Sequence, residues 1–213
     1  MSSVAVIDYG MGNLHSIAKA LQHADSDVRV DITADPERIR DADRVVFPGV
    51  GAMRDCMQAL NSSGLAMVIK DIADHKPLLG ICLGMQALLT DSEENAGVDC
   101  LNLIPGHVRR FDDPLRDDAG NVLKIPHMGW NQVQQNPHPL WDGIPQGSRF
   151  YFVHSYYAVA DDARHAIATA EYPSAFTCAL AKDRLFAVQF HPEKSQTVGL
   201  RLLRNFLHWD GSL

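Results

Sequence analysis

The chain has four cysteines in 213 residues, and none stands in CxxC spacing. Cys56, Cys82, Cys100 and Cys178 are scattered, so the sequence writes neither a disulfide framework nor a paired-thiolate zinc site. There is no HExxH, and the histidines and carboxylates are not gathered into a metal-ligand cluster. No apolar run approaches the ~20 residues needed to cross a bilayer. Met1 to Asp8 lacks the basic flank and apolar length of a signal peptide. The net charge of −7 is not collected into an acidic or basic block, which makes nucleic acid and anionic membrane poor partners. Internal repeats and low-complexity linkers are missing as well. These absences leave a reduced, cytoplasmic, soluble protein acting on a small polar substrate, with no metal and no cofactor expected. A hydrophobic content of 46% suffices for the core of a single domain over residues 1–213.

What is present first is an alternation of short apolar runs and helical periods. Val4-Ala5-Val6-Ile7 reads as a strand buried on both faces; Leu14, Ile17, Ala18 and Leu21 then recur at helical spacing behind Asn13 as N-cap. Val28 to Ile32 and Val45 to Phe47 predict further strands, with a helical turn over Pro36 to Arg40 between them. Ala52 to Leu60 and Leu65 to Ile72 predict helices. From Leu101 to Phe190 the helical period is largely lost. Strands are expected at Val108 to Phe111, Gly129 to Gln134, Phe150 to Val159, Ala166 to Ala170, Phe176 to Ala181 and Leu185 to Phe190. Thr197 to Trp209 returns to helix. The pattern predicts an α/β fold, a wound and mostly parallel sheet flanked by helices, with a β-rich C-terminal half. Gly10-Met11-Gly12-Asn13 follows the first strand, but a dinucleotide fingerprint would need Gly or Ala where His15 stands, so it reads as a tight turn.

The chemistry centres on Gly80-Ile81-Cys82-Leu83-Gly84, which follows Pro77-Leu78-Leu79 and precedes Met85-Gln86-Ala87-Leu88-Leu89. That is strand, sharp turn, helix. A lone cysteine is ordinarily core filler. Here glycines two residues to either side would clear the space a nucleophile needs at the apex of a strained turn, and the helix N-terminus favours a thiolate. A second signal stands at His191-Pro192-Glu193, at the end of the run Phe186 to Phe190. If proline holds this segment extended, His191 and Glu193 point the same way, so the carboxylate can hold one imidazole nitrogen while the other faces a thiol. Pro48-Gly49-Val50-Gly51 supplies a loop whose N–H groups can reach an oxyanion, with Val50 N–H and the Leu83 N–H after the nucleophile as candidates. Glycine freedom at Gly49 and Gly51 would let that loop take two arrangements.

The elbow through Gln86, together with His191-Pro192-Glu193, resembles the class I glutamine amidotransferases, which carry a Cys-His-Glu triad on an α/β sheet. Further stretches are similar to the glutaminase subunits of imidazole glycerol phosphate synthases: Asp8 to Asn13, Pro48 to Ala52, Pro126-His127-Met128-Gly129-Trp130-Asn131, and Tyr151 to Tyr156. The resemblance spans nearly the whole chain. It implies that Cys82 attacks the side-chain amide of glutamine, with His191 as proton carrier and Glu193 orienting it. It also implies that Gly49, Gly51, Gln86, Glu94, Ser155 and Tyr156 hold the glutamine, although Glu93 adjoins Glu94 and spacing does not choose between them. Asn13, Trp130, Tyr151 and Lys194 would face a (β/α)₈ cyclase subunit that receives the ammonia, the pair forming a heterodimer. Because the chain ends at Leu213, that cyclase is expected as a separate polypeptide. Two readings compete: the glutaminase of another amidotransferase such as anthranilate synthase, against which Pro126 to Asn131 argues, and a non-catalytic binding subunit, against which the intact triad argues.

Overall fold

The alternating half folds as its periodicity predicts. β1 (Ser3–Ile7), α1 (Leu14–Ala24), β2 (Arg29–Thr33), α2 (Pro36–Asp41), β3 (Arg44–Gly49), α3 (Met53–Ser63), α4 (Leu65–Ala73), β4 (Leu78–Cys82) and α5 (Leu83–Ala87) follow in turn in the computed structural model, which describes residues 2–117 and 119–212. The four strands pair in parallel in the order β2-β1-β3-β4. Successive residues of a strand face opposite sides, and here they feed two cores. Val4 and Val6 pack with Ile17 and Leu21 of α1, while Ala5 and Ile7 pack with Ile39, Leu60 and Ile69 of α2, α3 and α4. Cover on both faces is what allows strands this continuously apolar.

A local signal sets the start of α2, among the described residues the one α-helix whose N-cap side chain makes a capping bond. Asp35 accepts the Glu37 N–H at 2.9 Å, with Pro36 in the first turn of α2. Asn13 departs from expectation: its carbonyl takes the Ile17 N–H, but its side chain makes no capping bond. Its φ of −88° and ψ of 63° lie outside the extended region from which an Asn side chain reaches the first-turn N–H groups.

The second half contributes β5 (Asp91–Ser92), β6 (Val98–Asp99), β7 (Gly106–Arg110), β8 (Leu115–Arg116), β9 (Val122–Leu123), β10 (His127–Gln132), β11 (Gln134–Gln135), β12 (Arg149–His154), β13 (Tyr156–Ala160), β14 (Ala166–Glu171), β15 (Ala175–Lys182), β16 (Leu185–Val188) and finally α6 (Gln196–His208). β16 lies parallel on β4, and β15, β13 and β7 extend the same sheet antiparallel. β10 and β12 form a separate antiparallel ribbon, as do β8 and β9. The single strand expected over Phe150 to Val159 is therefore two. It breaks at Ser155 because β12 belongs to the ribbon and β13 to the main sheet, and both are half-buried, so the apolar pattern runs through the break. Gly129 to Gln134 divides in the same way, β10 ending at Gln132 and β11 turning to pair with β14.

β4 passes into α5 without an intervening residue. A β-carbon on Gly84 would overlap the carbonyl oxygen of Phe47, and one on Gly80 would come within 3.0 Å of Leu88 and 3.2 Å of Ala187. The glycines of the elbow are thus demanded by close packing of α5 on β3 and β16. Gly84→Ala is expected to destabilise the protein by at least about 3 kcal/mol; a urea unfolding curve coincident with wild type would refute the packing argument.

Candidate active site

Cys82 takes φ 55° and ψ −110°, a conformation that costs a non-glycine residue about 1–3 kcal/mol. The strain is held by β4 on one side and α5 on the other, and it aims the side chain into a cavity of about 290 Å³. His191 borders the same cavity. The sheet makes the meeting possible: β16, which leads to His191, is the parallel neighbour of β4, which leads to Cys82.

His191, Pro192 and Glu193 do not continue as an extended segment. Pro192 to Lys194 form a 3₁₀ turn, closed by the Lys194 N–H donating to the His191 carbonyl at 3.1 Å. A proline φ near −65° suits the first position of such a turn as well as an extended chain. The expected contact survives across the turn, with His191 Nδ1 2.9 Å from Glu193 Oε1 and both side chains only 4% exposed. Ser195, which sequence reasoning missed, clamps this turn to β12. Its hydroxyl donates to the His191 carbonyl at 2.6 Å and accepts the Tyr151 N–H at 3.0 Å, while the His191 N–H donates to the Tyr151 carbonyl at 2.9 Å.

His191 Nε2 is buried and has no hydrogen-bond partner within bonding distance among the described residues, which leaves it to the Cys82 thiol. Burial, the largest influence on the ring, opposes its protonation. The Cys82 thiol and the Glu193 carboxylate together outweigh it and raise the His191 pKa to about 9. At neutral pH this imidazole is a cation.

Val50, Gly51 and Leu83 border the cavity beside Cys82, as do Gln86, Glu94, Ser155 and Tyr156. The two adjacent glutamates separate: Glu94 faces the cavity and accepts the Met53 N–H at 2.9 Å, while Glu93 accepts the Arg110 N–H. Gly49 lies outside this cavity, on a smaller one shared with Asn13, His191 and Glu193. Its glycine is not there for freedom, since a β-carbon would come within 2.5 Å of the Tyr9 hydroxyl and 3.0 Å of the Gly84 nitrogen; φ of +97° puts the conformational need at Gly51 instead. Trp130 and Tyr151 pair across β10 and β12 with perpendicular rings 6.1 Å apart, and Lys194 Nζ stands 5.7 Å from the Tyr151 ring centre. Met128 and Trp130 on this ribbon are exposed.

His154, on the cavity wall, heads a chain of buried imidazoles that the motif reading also missed. The Tyr156 carbonyl can only accept, so His154 Nδ1 carries a proton toward it at 2.8 Å, and His154 Nε2 must then accept from His127 Nδ1 at 2.9 Å. Asn131 closes the series by donating to His127 Nε2 at 3.3 Å. Burial lowers the pKa of His127 to about 4 and that of His154 to about 3. Both rings are neutral donors and acceptors at pH 7, not proton carriers. Among the described residues no group of three or more His, Cys, Asp or Glu side chains is placed to hold a metal ion, and no helix is long and apolar enough to cross a membrane.

A strained thiol beside an imidazolium held by a buried carboxylate is suited to acyl transfer, and comparison with known proteins gives that chemistry a family. The family described as "Glutamine amidotransferase class-I" matches residues 5–209. The imidazole glycerol phosphate synthase subunit HisH of Methylococcus capsulatus is 63% identical over 212 residues, covering 99% of this chain and 98% of that one. The subunit of the same name from Nitrosococcus oceani is 59% identical, covering 99% of each. Among solved structures, PurLQS from Thermotoga maritima superposes with a TM-score of 0.71 at 14% identity, covering 97% of this chain and 98% of that one, a likeness of fold alone. By a family match over residues 5–209 and by relatives this similar along their whole length, the chain belongs to the class I glutamine amidotransferases, in the group of imidazole glycerol phosphate synthase HisH subunits.

Proposed function

We propose that residues 1–213 act as one cytoplasmic amidotransferase domain that hydrolyses glutamine and delivers the ammonia to a separate (β/α)₈ cyclase subunit, which makes imidazole glycerol phosphate and AICAR in histidine biosynthesis. The observation that carries the chemistry is the meeting of Cys82, on its strained elbow, with the buried His191–Glu193 pair at one cavity. The Cys82 thiolate adds to the side-chain carbonyl of glutamine, and the oxyanion is met by the Val50 and Leu83 N–H groups. The C–N bond breaks as His191 Nε2 gives its proton to the departing nitrogen, releasing ammonia and leaving a glutamyl thioester. Neutral His191 then takes a proton from water, the hydroxide adds to the thioester, and collapse frees glutamate, the thiolate and the imidazolium. Glu193 keeps the ring oriented throughout.

Gln86, Glu94, Ser155 and Tyr156 hold the substrate, with Gly49 and Gly51 shaping the loop over it. Glu94 suits the α-ammonium. Both protons of the Gln86 amide are engaged inside the protein, by the Tyr156 carbonyl at 3.1 Å and Gln189 Oε1 at 2.8 Å, so it offers the substrate its oxygen as an acceptor. Asn13, Trp130, Tyr151 and Lys194 face the cyclase; their support is the exposed Met128 and Trp130 on the ribbon and the attachment of Tyr151 to the His191 backbone. The test is glutamate release from glutamine by the purified chain, with and without a nucleotide-loaded cyclase subunit. Release that rises sharply with the cyclase is expected. Release indifferent to it would redirect the ammonia to another acceptor enzyme, and no release under either condition would sink the glutaminase reading.

A further inference from the structure

We infer that Gln189 is a positioning residue for the nucleophile, holding an amide N–H on the Cys82 sulfur. It stands one residue beyond the paired Val188 and Ile81 of β16 and β4, which brings it alongside Cys82. Its side chain is wholly buried, and its Nε2 lies 3.7 Å from Cys82 Sγ. A buried glutamine in an otherwise apolar run, Phe186 to Phe190, must have its polar atoms satisfied by partners from elsewhere in the fold.

The direction of the amide follows from the bonds around it. The Tyr156 carbonyl can only accept, so the Gln86 atom 3.1 Å from it is the nitrogen. That same nitrogen lies 2.8 Å from the Gln189 side chain, whose near atom must therefore be the oxygen. The opposite end of Gln189 is then NH₂, and it faces the sulfur. One main-chain carbonyl thus orients two amides in series and ends by presenting a donor to the reacting atom. A donor bonds more strongly to a thiolate than to a thiol, so the arrangement favours the ionised nucleophile and fixes its position in the cavity that His191 also borders. Because Gln86 borders the substrate cavity, the series also ties the substrate wall to the nucleophile.

The inference rests on Cys82 being the nucleophile, and the experiment separates the two claims. Gln189→Met keeps the length and apolar fit while removing both polar ends; Gln189→Glu keeps the acceptor for Gln86 but turns the donor into an anion. The readout is the rate of iodoacetamide alkylation of Cys82 as a function of pH, alongside kcat and KM for glutamine. Cys56 and Cys100 are buried with pKa values pushed up to about 11 and about 12, and Cys178 is raised further still by burial, which leaves Cys82 as the thiol read. In Gln189→Met, alkylation at pH 7 is expected to slow about tenfold, with the profile moved about one pH unit upward. kcat should fall while KM stays within about threefold, and Gln189→Glu should be slower again. A purely structural glutamine would lower the unfolding midpoint and leave the alkylation profile in place, and that result, in either variant that folds, overturns the inference. Glutamate release that survives Cys82→Ala overturns the nucleophile itself, and Gln189 with it.

Discussion

Cys82→Ala is expected to reduce glutamate release by at least about 10⁴-fold, because nothing else at the cavity can form the thioester. The other polar side chains that border the cavity, Gln86, Glu94, His154, Ser155, Tyr156 and His191, carry no thiol, and none of them stands on the elbow that faces the His191–Glu193 pair. Two accompanying results would tie the loss to the structure described. First, the Cys82 thiol is one of the two influences that raise the His191 pKa to about 9 against the effect of burial. In the alanine variant that pKa should fall, and titration of the His191 ring by NMR measures it directly. Second, alanine inherits the strained φ of 55°, so the variant should be no more stable than wild type. Glycine relieves that strain, worth about 1–3 kcal/mol, while adding freedom to the unfolded chain worth about 1 kcal/mol. Cys82→Gly should therefore be inactive yet up to about 2 kcal/mol more stable than Cys82→Ala by urea unfolding. An alanine variant that still releases glutamate, or a glycine variant less stable than alanine, would contradict the elbow as described.

Acid should begin to destabilise this protein below about pH 6.5, before its carboxylates take up protons. His127 and His138 have pKa values lowered by burial to about 4, and His154 to about 3, whereas each titrates near 6.5 in the unfolded chain. A histidine whose folded pKa is depressed contributes stability that is complete above the unfolded value and is lost as pH falls from there toward the folded one. Between pH 6.5 and 4 the unfolded chain takes up three protons that the folded chain refuses, so stability drops by up to about 4 kcal/mol per pH unit. His191 acts in the opposite sense. Its raised pKa contributes stability that is complete below about 6.5 and is lost as pH rises through about 9. The two effects together place the stability maximum near pH 6.5. Integrated from neutral pH, the three protons remove roughly 5–6 kcal/mol by pH 5 and about 9 kcal/mol by pH 4, enough to unfold a domain at the lower end of ordinary stability, about 5–8 kcal/mol, between pH 4 and 5. His138→Asn isolates one of the three protons: His138 caps the 3₁₀ turn Pro139 to Trp141 by accepting the Leu140 N–H at 3.1 Å, and asparagine preserves that cap. The variant's stability, measured by urea at a series of pH values, should fall about one third less steeply on acidification. A wild-type stability flat from pH 6.5 to 5 would mean that these rings do not resist protonation.

The division between what could be read from the chain and what could not follows the range of the interactions. Gly80 to Gly84 could be read because strand, turn and helix are encoded in consecutive residues, and because the glycines answer a local need for space. His191 and Glu193 could be paired because they lie two apart, so their contact survived even though the segment between them is a turn and not extended. Gly49 was misjudged, since its reason is the approach of Tyr9 and α5, which come from other stretches of sequence. Glu93 and Glu94 were indistinguishable in sequence and are separated only by which of α3 and β7 each one meets. The break at Ser155 left no mark because two half-buried strands in different sheets carry the same apolar pattern. By itself, then, the sequence determined the wound α/β architecture, the candidate nucleophile and its imidazole partner, since periodicity and short motifs act over a few residues. The tertiary structure alone decided how the site is tuned. The parallel pairing of β4 with β16 brings Gln189 to Cys82 across 107 residues, and burial, which is a property of the whole fold, keeps His154 neutral beside a charged His191.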